Sequence, residues 1–350
     1  MQVEAAQLSA QLQRGLQPLY VVQGDEPLLV QEAADAVRAT ARAQGYTERS
    51  VHSVSGAHFD WSAVLAAGNA LSLFADKQLV EIHIPTGKPG KDGASALEQI
   101  ASAAAGNDST LTLVLLPRLD KATQSSAWFE ALQRHGVCVP ILPVERTALP
   151  AWIAQRLARQ NQRVAVGELG QRTLQLFADR VEGNLLAAHQ EVQKLALLYP
   201  AGELSLEQVE SAVGQVARYD VYKLSEAVLG GQLLRVQRML QGLQAEGDAA
   251  VLVHMQLAQD IRALYSAHEA VAAGRPLLVV LREQRIWGVR ERLFERVLPQ
   301  LTAKRLATLL HAAQQVDGVV KGLKAPDWPH EPWQALQRLA FLLCSACMAR

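Results

Sequence analysis

The first 142 residues alternate short apolar runs with stretches of helical period. Residues 19–23, 51–54, 78–84, 110–116 and 137–142 are runs of four to seven residues rich in Val, Ile and Leu, the length and composition of buried strands. Residues 27–44, 60–70, 95–105 and 123–134 instead place apolar side chains three and four apart, which puts them on one face of a helix. Strands joined by helices of this length predict a parallel sheet with helices on both faces. Residues 85–93, rich in Pro, Gly and Lys, read as a loop.

The pattern changes at Pro143, beyond which strand signals vanish. Residues 150–160, 166–179, 185–198 and 205–216 carry helical spacing, and Ser205 with Gln208 has the form of a capping box. From residue 221 onward about five longer helices are expected, broken at Gly230-Gly231, Gly247-Asp248, Gly274-Arg275-Pro276 and residues 326–332. The expected division is therefore an α/β domain over residues 1–142, a small helical domain over 143–216 and an all-α domain over 217–350. A chain of 350 residues suits two or three cores.

One apolar stretch fits no core face cleanly. Leu71-Ser72-Leu73-Phe74 lies between the third predicted strand and the helix before it, with Asp76 and Lys77 immediately after. Adjacent helix residues project about 100° apart, so a single core face rarely takes both Leu73 and Phe74. Either the pair packs on the sheet, or one member is exposed and plugs a pocket on a partner.

Charge narrows the choice of partner only slightly. Lys plus Arg and Asp plus Glu both number 34, with a net of −5 over residues 1–210 and +5 over 211–350. That tilt permits a nucleic-acid face in the C-terminal part without demanding one. Within it, residues 282–292 interleave Arg282, Arg285, Arg290 and Arg292 with Trp287. They could meet phosphates or a neighbouring subunit, although Glu283 and Glu291 favour a solvated face with Trp287 in the core. Lys321, Lys324 and Trp328 share a Gly/Pro-rich loop in which the indole could stack on an unpaired base or pack against the bundle.

No catalytic set emerges. The turn after the first strand is where an α/β sheet would cradle phosphate, yet it reads Gly24-Asp25-Glu26-Pro27: one glycine, two acids and a proline without an N–H. No GxxxxGK[ST], HExxH or G-x-S-x-G motif occurs, so neither a nucleotide nor a metal or other cofactor is called for. Cys344 and Cys347 have metal or redox spacing but no second pair, and read as small buried hydrophobes. With Cys138 they are three cysteines, too few for a disulfide framework. The polar first fourteen residues, and the lack of any apolar run near 18 residues, suggest a soluble cytoplasmic protein.

Several stretches together carry a resemblance that covers the chain essentially end to end. They are residues 19–29 (LYVVQGDEPLL), 70–78 (ALSLFADKQ), Ala127-Trp128-Phe129, Leu149-Pro150-Ala151-Trp152-Ile153, Glu182-Gly183-Asn184-Leu185-Leu186-Ala187, residues 193–198 (QKLALL) and Arg285-Ile286-Trp287. In order and spacing the chain resembles the delta-subunit family of the bacterial DNA polymerase III clamp loader. The resemblance implies an AAA+-like parallel-sheet domain without an ATP site, followed by a helical lid and an all-α collar. It implies binding to the ring-shaped sliding clamp (the beta subunit) through Leu73 and Phe74, with Leu71 and Ser72 completing the local shape. It also implies assembly with gamma/tau and delta prime subunits through the collar, around primed DNA. A scaffold of the same fold with another partner, an active nucleotide hydrolase and an autonomous DNA-binding protein are the rival expectations.

Overall fold

The computed structural model describes residues 1–56, 59–69, 77–104, 106, 108–214 and 216–348. They pack as two compact units. The first holds Met1–Gln162 and Leu185–Ala196, the second Arg163–Asn184 and Leu197–Arg350.

The first unit is built on α1 (Leu8–Arg14), β1 (Leu19–Gln23), α2 (Pro27–Ala43), β2 (Glu48–Ser53), α3 (Trp61–Asn69), β3 (Gln78–His83), α4 (Gly90–Ala104), β4 (Thr110–Leu116), α5 (Lys121–Gln124), α6 (Ala127–His135) and β5 (Val137–Pro140). The strands form one parallel sheet in the order β2-β3-β4-β1-β5. Alternation along each strand splits the core in two. Leu19, Val21, Val80, Ile82 and Val114 face Trp61, Leu97, Phe129 and Leu132, from α3, α4 and α6. Tyr20, Val22, Leu79, Leu111 and Val139 face Leu8 and Leu12 of α1 and Ala34, Val37 and Ala41 of α2. The predicted two-faced sheet is thus present. Two local expectations change. β2 begins at Glu48 rather than at 51, because as an edge strand it keeps polar, solvent-facing residues and lacks an apolar signature. The loop ends at Pro89, and α4 starts at Gly90.

The middle of the chain is not strand-free. β6 (Gln162–Val164) and β7 (Gly202–Leu204) form a two-stranded sheet, each too short to leave a periodic signal. The helices here are α7 (Leu149–Arg159), α8 (Glu168–Val181), α9 (Leu185–Leu198) and α10 (Leu206–Ala212). The Ser205–Gln208 capping box exists as read: the Gln208 N–H donates to Ser205 Oγ at 3.2 Å, and the Ser205 N–H donates to Gln208 Oε1 at 2.8 Å. In the first unit α7 is fastened to α2. The buried Arg156 guanidinium reaches both Glu32 carboxylate oxygens at 2.5 and 2.6 Å and stacks 4.5 Å from the Trp152 ring centre.

Among the described residues the rest of the second unit comprises seven α-helices rather than about five: α11 (Val221–Leu229), α12 (Leu233–Glu246), α13 (Ala250–Ala272), α14 (Leu277–Glu283), α15 (Val289–Val297), α16 (Ala303–Val320) and α17 (Pro332–Cys347). They enclose one apolar core running from Leu224 and Val236 through Leu257, Ile261 and Phe294 to Leu339 and Leu343. The extra breaks fall after Glu283 and Val297.

Candidate functional site

The predicted plug, Leu71, Ser72, Leu73 and Phe74, lies outside the described residues, but both of its flanks are described. Upstream, Trp61 and Val64 of α3 are buried in the core. Downstream, Gln78 opens β3 with its side-chain amide donating to the Ala67 carbonyl at 2.6 Å and to Thr110 Oγ1 at 3.2 Å. That one side chain ties the end of α3 to the starts of β3 and β4. Lys77 adds a second anchor, its ammonium 5.1 Å from the Tyr46 ring centre.

The turn after β1 is closed. Only Gly24, Asp25 and Glu26 separate β1 from α2. The Gly24 N–H donates to the Leu116 carbonyl at 3.0 Å, and a β-carbon on Gly24 would collide with the carbonyl oxygen of Ile141. Asp25 Oδ1 accepts the Arg118 N–H at 2.9 Å. Burial raises the Glu26 carboxyl above its usual range, partly offset by the Leu28 N–H. The carboxyl ends of β1, β4 and β5 are thus laced together by the protein's own groups. The Asp25 carboxyl, engaged with the Arg118 N–H, lies in the turn where a phosphate cradle needs free N–H groups.

Glu81 lies fully buried on β3. Burial disfavours its charge, but hydrogen bonds from Arg38 (2.9 and 2.8 Å), Arg49 (2.5 and 3.1 Å) and His83 (3.2 Å) outweigh that cost and hold its carboxyl down at about 2. This cluster joins α2, β2 and β3 and engages both Glu81 oxygens with the protein's own groups, which marks it as structural.

In the second unit the stretch 282–292 departs from its bland reading. Ile286, not Trp287, enters the core: Ile286 is 3% exposed and Trp287 61%. The cause is how α14 ends. The Arg285 N–H donates to Arg282 O at 3.0 Å and the Ile286 N–H to Leu281 O at 2.9 Å, a Schellman motif with Arg285 in the left-handed position at φ 57°. That cap turns Ile286 inward and leaves Trp287 outside, beside the exposed Val289. Arg282, Arg285 and Arg292 are exposed and form no ion pair among the described residues. The sequence contained the basic–aromatic pattern but not the cap that decides which side chain faces out.

The second candidate set is more occupied. Lys321 is paired with Asp317 at 2.6 Å, and Lys324 is exposed. Trp328 is half-buried against the core, with the Arg338 guanidinium 4.6 Å from its ring centre. Cys344 and Cys347 are buried free thiols, pushed up by burial to about 11 and about 12. No group of three metal-binding side chains occurs among the described residues, and no described helix is long and apolar enough to cross a membrane.

Comparison with known proteins places this architecture. Residues 20–142 match the family described as DNA polymerase III, delta subunit. The DNA polymerase III subunit delta of Escherichia coli K12 is 32% identical over 344 residues, spanning 98% of this chain and 96% of that protein. The chain belongs to the family of DNA polymerase III delta subunits. The subunit delta of Haemophilus influenzae Rd is 25% identical, across 97% of this chain and 98% of its own. A solved Bacillus subtilis DNA clamp loader delta protein shares the fold at a TM-score of 0.52 and 16% identity, covering 97% of this chain and 99% of that one.

Proposed function

We propose that this subunit binds the ring-shaped sliding clamp and helps open one of its interfaces for loading onto primed DNA, without hydrolysing ATP itself. Leu73 and Phe74 are the wedge, with Leu71 and Ser72 shaping its base. Residues 1–142 form the clamp-binding domain, 143–216 the lid and 217–350 the collar, which assembles with the gamma/tau and delta prime subunits in the cytoplasm. The observation that carries the reading is the closed turn after β1. A scaffold whose first βα turn packs Gly24 against the Ile141 carbonyl and engages Asp25 with the Arg118 N–H is suited to binding a partner rather than a triphosphate. A wedge that binds one clamp subunit best when its interface is distorted shifts the ring toward the open form by no more than that difference in affinity. The test is a titration of the purified clamp with this chain. Binding should be equal with and without ATP, and micromolar ATP affinity in the chain alone would revive the hydrolase reading.

DNA contact falls best to Trp287 with Arg282, Arg285 and Arg292. An exposed indole close in sequence to three exposed arginines, which form no ion pair among the described residues, can stack on a base while they meet phosphates. Lys321, Lys324 and Trp328 remain a second candidate face, one side of the Trp328 ring being already covered by Arg338. In the assembled loader, Trp287→Ala should weaken primed-DNA binding by about 1–3 kcal/mol, measured by fluorescence anisotropy, and Trp328→Ala by less. The reverse ranking would move the DNA face to the 321–328 loop. Arg285 holds a left-handed conformation that costs a non-glycine residue about 1 kcal/mol. Arg285→Gly should therefore raise the melting temperature of the chain while weakening DNA binding.

A further inference from the structure

The Glu182-Gly183-Asn184 stretch that helped carry the family resemblance contributes nothing to the clamp or DNA faces. Its geometry gives it another task. It ties the end of α8 to a strap, residues 216–219, that leads into the seven α-helices. The Arg218 N–H donates to Glu182 O, and the Val216 N–H to Arg180 O, both at 2.8 Å. The Asn184 side-chain amide donates back to Val216 O at 3.1 Å. Gly183 has φ 76°, and a β-carbon there would run into Arg218 O, so the strap passes where only glycine leaves room. Arg180 reaches Val213 O at 2.7 Å, and Tyr219 Oη donates to Asp179 O at 3.4 Å.

Two ion pairs continue the lacing to α12. Arg235 grips Glu182 Oε1 through Nε at 3.1 Å and Nη2 at 2.5 Å, and both side chains are about nine-tenths buried. Arg238, one turn further along, meets Asp179 at 3.1 Å. The acids are three residues apart on α8 and its cap, and the arginines three apart on α12. The two pairs therefore form parallel rungs, which resist rotation of one helix about the other as a single contact could not. Gly242 of α12 makes the close approach possible, since a β-carbon there would strike the Tyr219 ring; that contact brings the strap and α12 together.

We propose that Asp179, Glu182, Gly183 and Asn184, with Arg235 and Arg238, are a rigid coupling that makes α8 and the collar helices move as one piece when the loader changes shape. The proposal rests on the clamp-loader reading for its consequence, but its physical core is testable on the chain alone. In Arg235→Glu the Val216 and Arg218 amides, which donate to Arg180 O and Glu182 O within this lacing, should exchange with solvent at least about tenfold faster, while Leu257 and Leu339 in the collar core stay protected. The charge-swapped pair Glu182→Arg with Arg235→Glu should restore slow exchange. Should the buried swap fail to fold, the outer swap Asp179→Arg with Arg238→Asp serves the same purpose, and Gly183→Ala tests the strap with every charge in place. In the reassembled loader, Arg235→Glu should lower the maximal clamp-loading rate several-fold at unchanged half-saturating clamp concentration, and the swap should recover it. Unchanged Val216 and Arg218 exchange in Arg235→Glu would overturn the coupling. So would a loading defect that a well-folded swap does not repair. Failure of clamp binding in the unsubstituted chain would instead strike the functional reading and leave the coupling standing.

Discussion

Replacing Leu73 and Phe74 together by alanine should weaken clamp binding by about 3–6 kcal/mol, a hundred- to ten-thousand-fold loss, because each buried apolar anchor contributes about 1.5–3 kcal/mol. The two side chains are adjacent, bulky and apolar, and Asp76 and Lys77 follow them. Hot spots of this kind concentrate binding energy in a few residues. The flanking structure has its own supports: Trp61 and Val64 in the core, and Gln78 holding Ala67 and Thr110. The double variant should therefore keep its melting temperature and its assembly with the other loader subunits while losing the clamp. The measurement is surface-immobilised clamp binding alongside gel filtration of the reassembled complex. Undiminished clamp affinity would exclude the wedge.

Glu81→Gln should have the largest effect on stability. The carboxylate is fully buried and serves three partners at once. A neutral amide would leave Arg38, itself mostly buried, without its counter-charge. Removing one partner from a buried pair costs about 3–5 kcal/mol, enough to lower the melting of a domain this size by about 10 °C. Wild-type stability should follow the same carboxyl. In the folded protein it is held down at about 2, below the ordinary glutamate value of 4.5. The stabilisation is therefore complete above pH 4.5 and is lost as pH falls through 2. Thermal melts between those limits should converge for wild type and Glu81→Gln; a gap that stays constant would deny the cluster its role.

The chain's alternation of apolar runs and helical periods made the sheet legible because β1, β3 and β4 are buried on both faces and so are continuously apolar. β2 was blurred by its edge position, and β6 and β7 by their length of three residues. The acidic turn, with one glycine, two acids and a proline, carries its reading as a poor phosphate cradle in the residues themselves. What the sequence could not show was how Asp25 and Ile141 close it, since those contacts join residues about a hundred positions apart. Trp287 was misplaced for a related reason: the residue that enters the core is chosen by a left-handed Arg285, a position where glycine is the usual signal. The role of Glu182-Gly183-Asn184 was equally hidden, because its partners lie on a strap and a helix up to 53 residues away.

Ring opening without nucleotide is the claim on which the rest depends. A clamp carrying a fluorophore and quencher across its interface reports it directly. Adding the purified chain in excess, with no ATP present, should raise the fluorescence as the interface separates, and the Leu73→Ala/Phe74→Ala variant should leave it dark. A signal that appears only when ATP and the other loader subunits are added, or that the double variant produces equally well, would contradict the account.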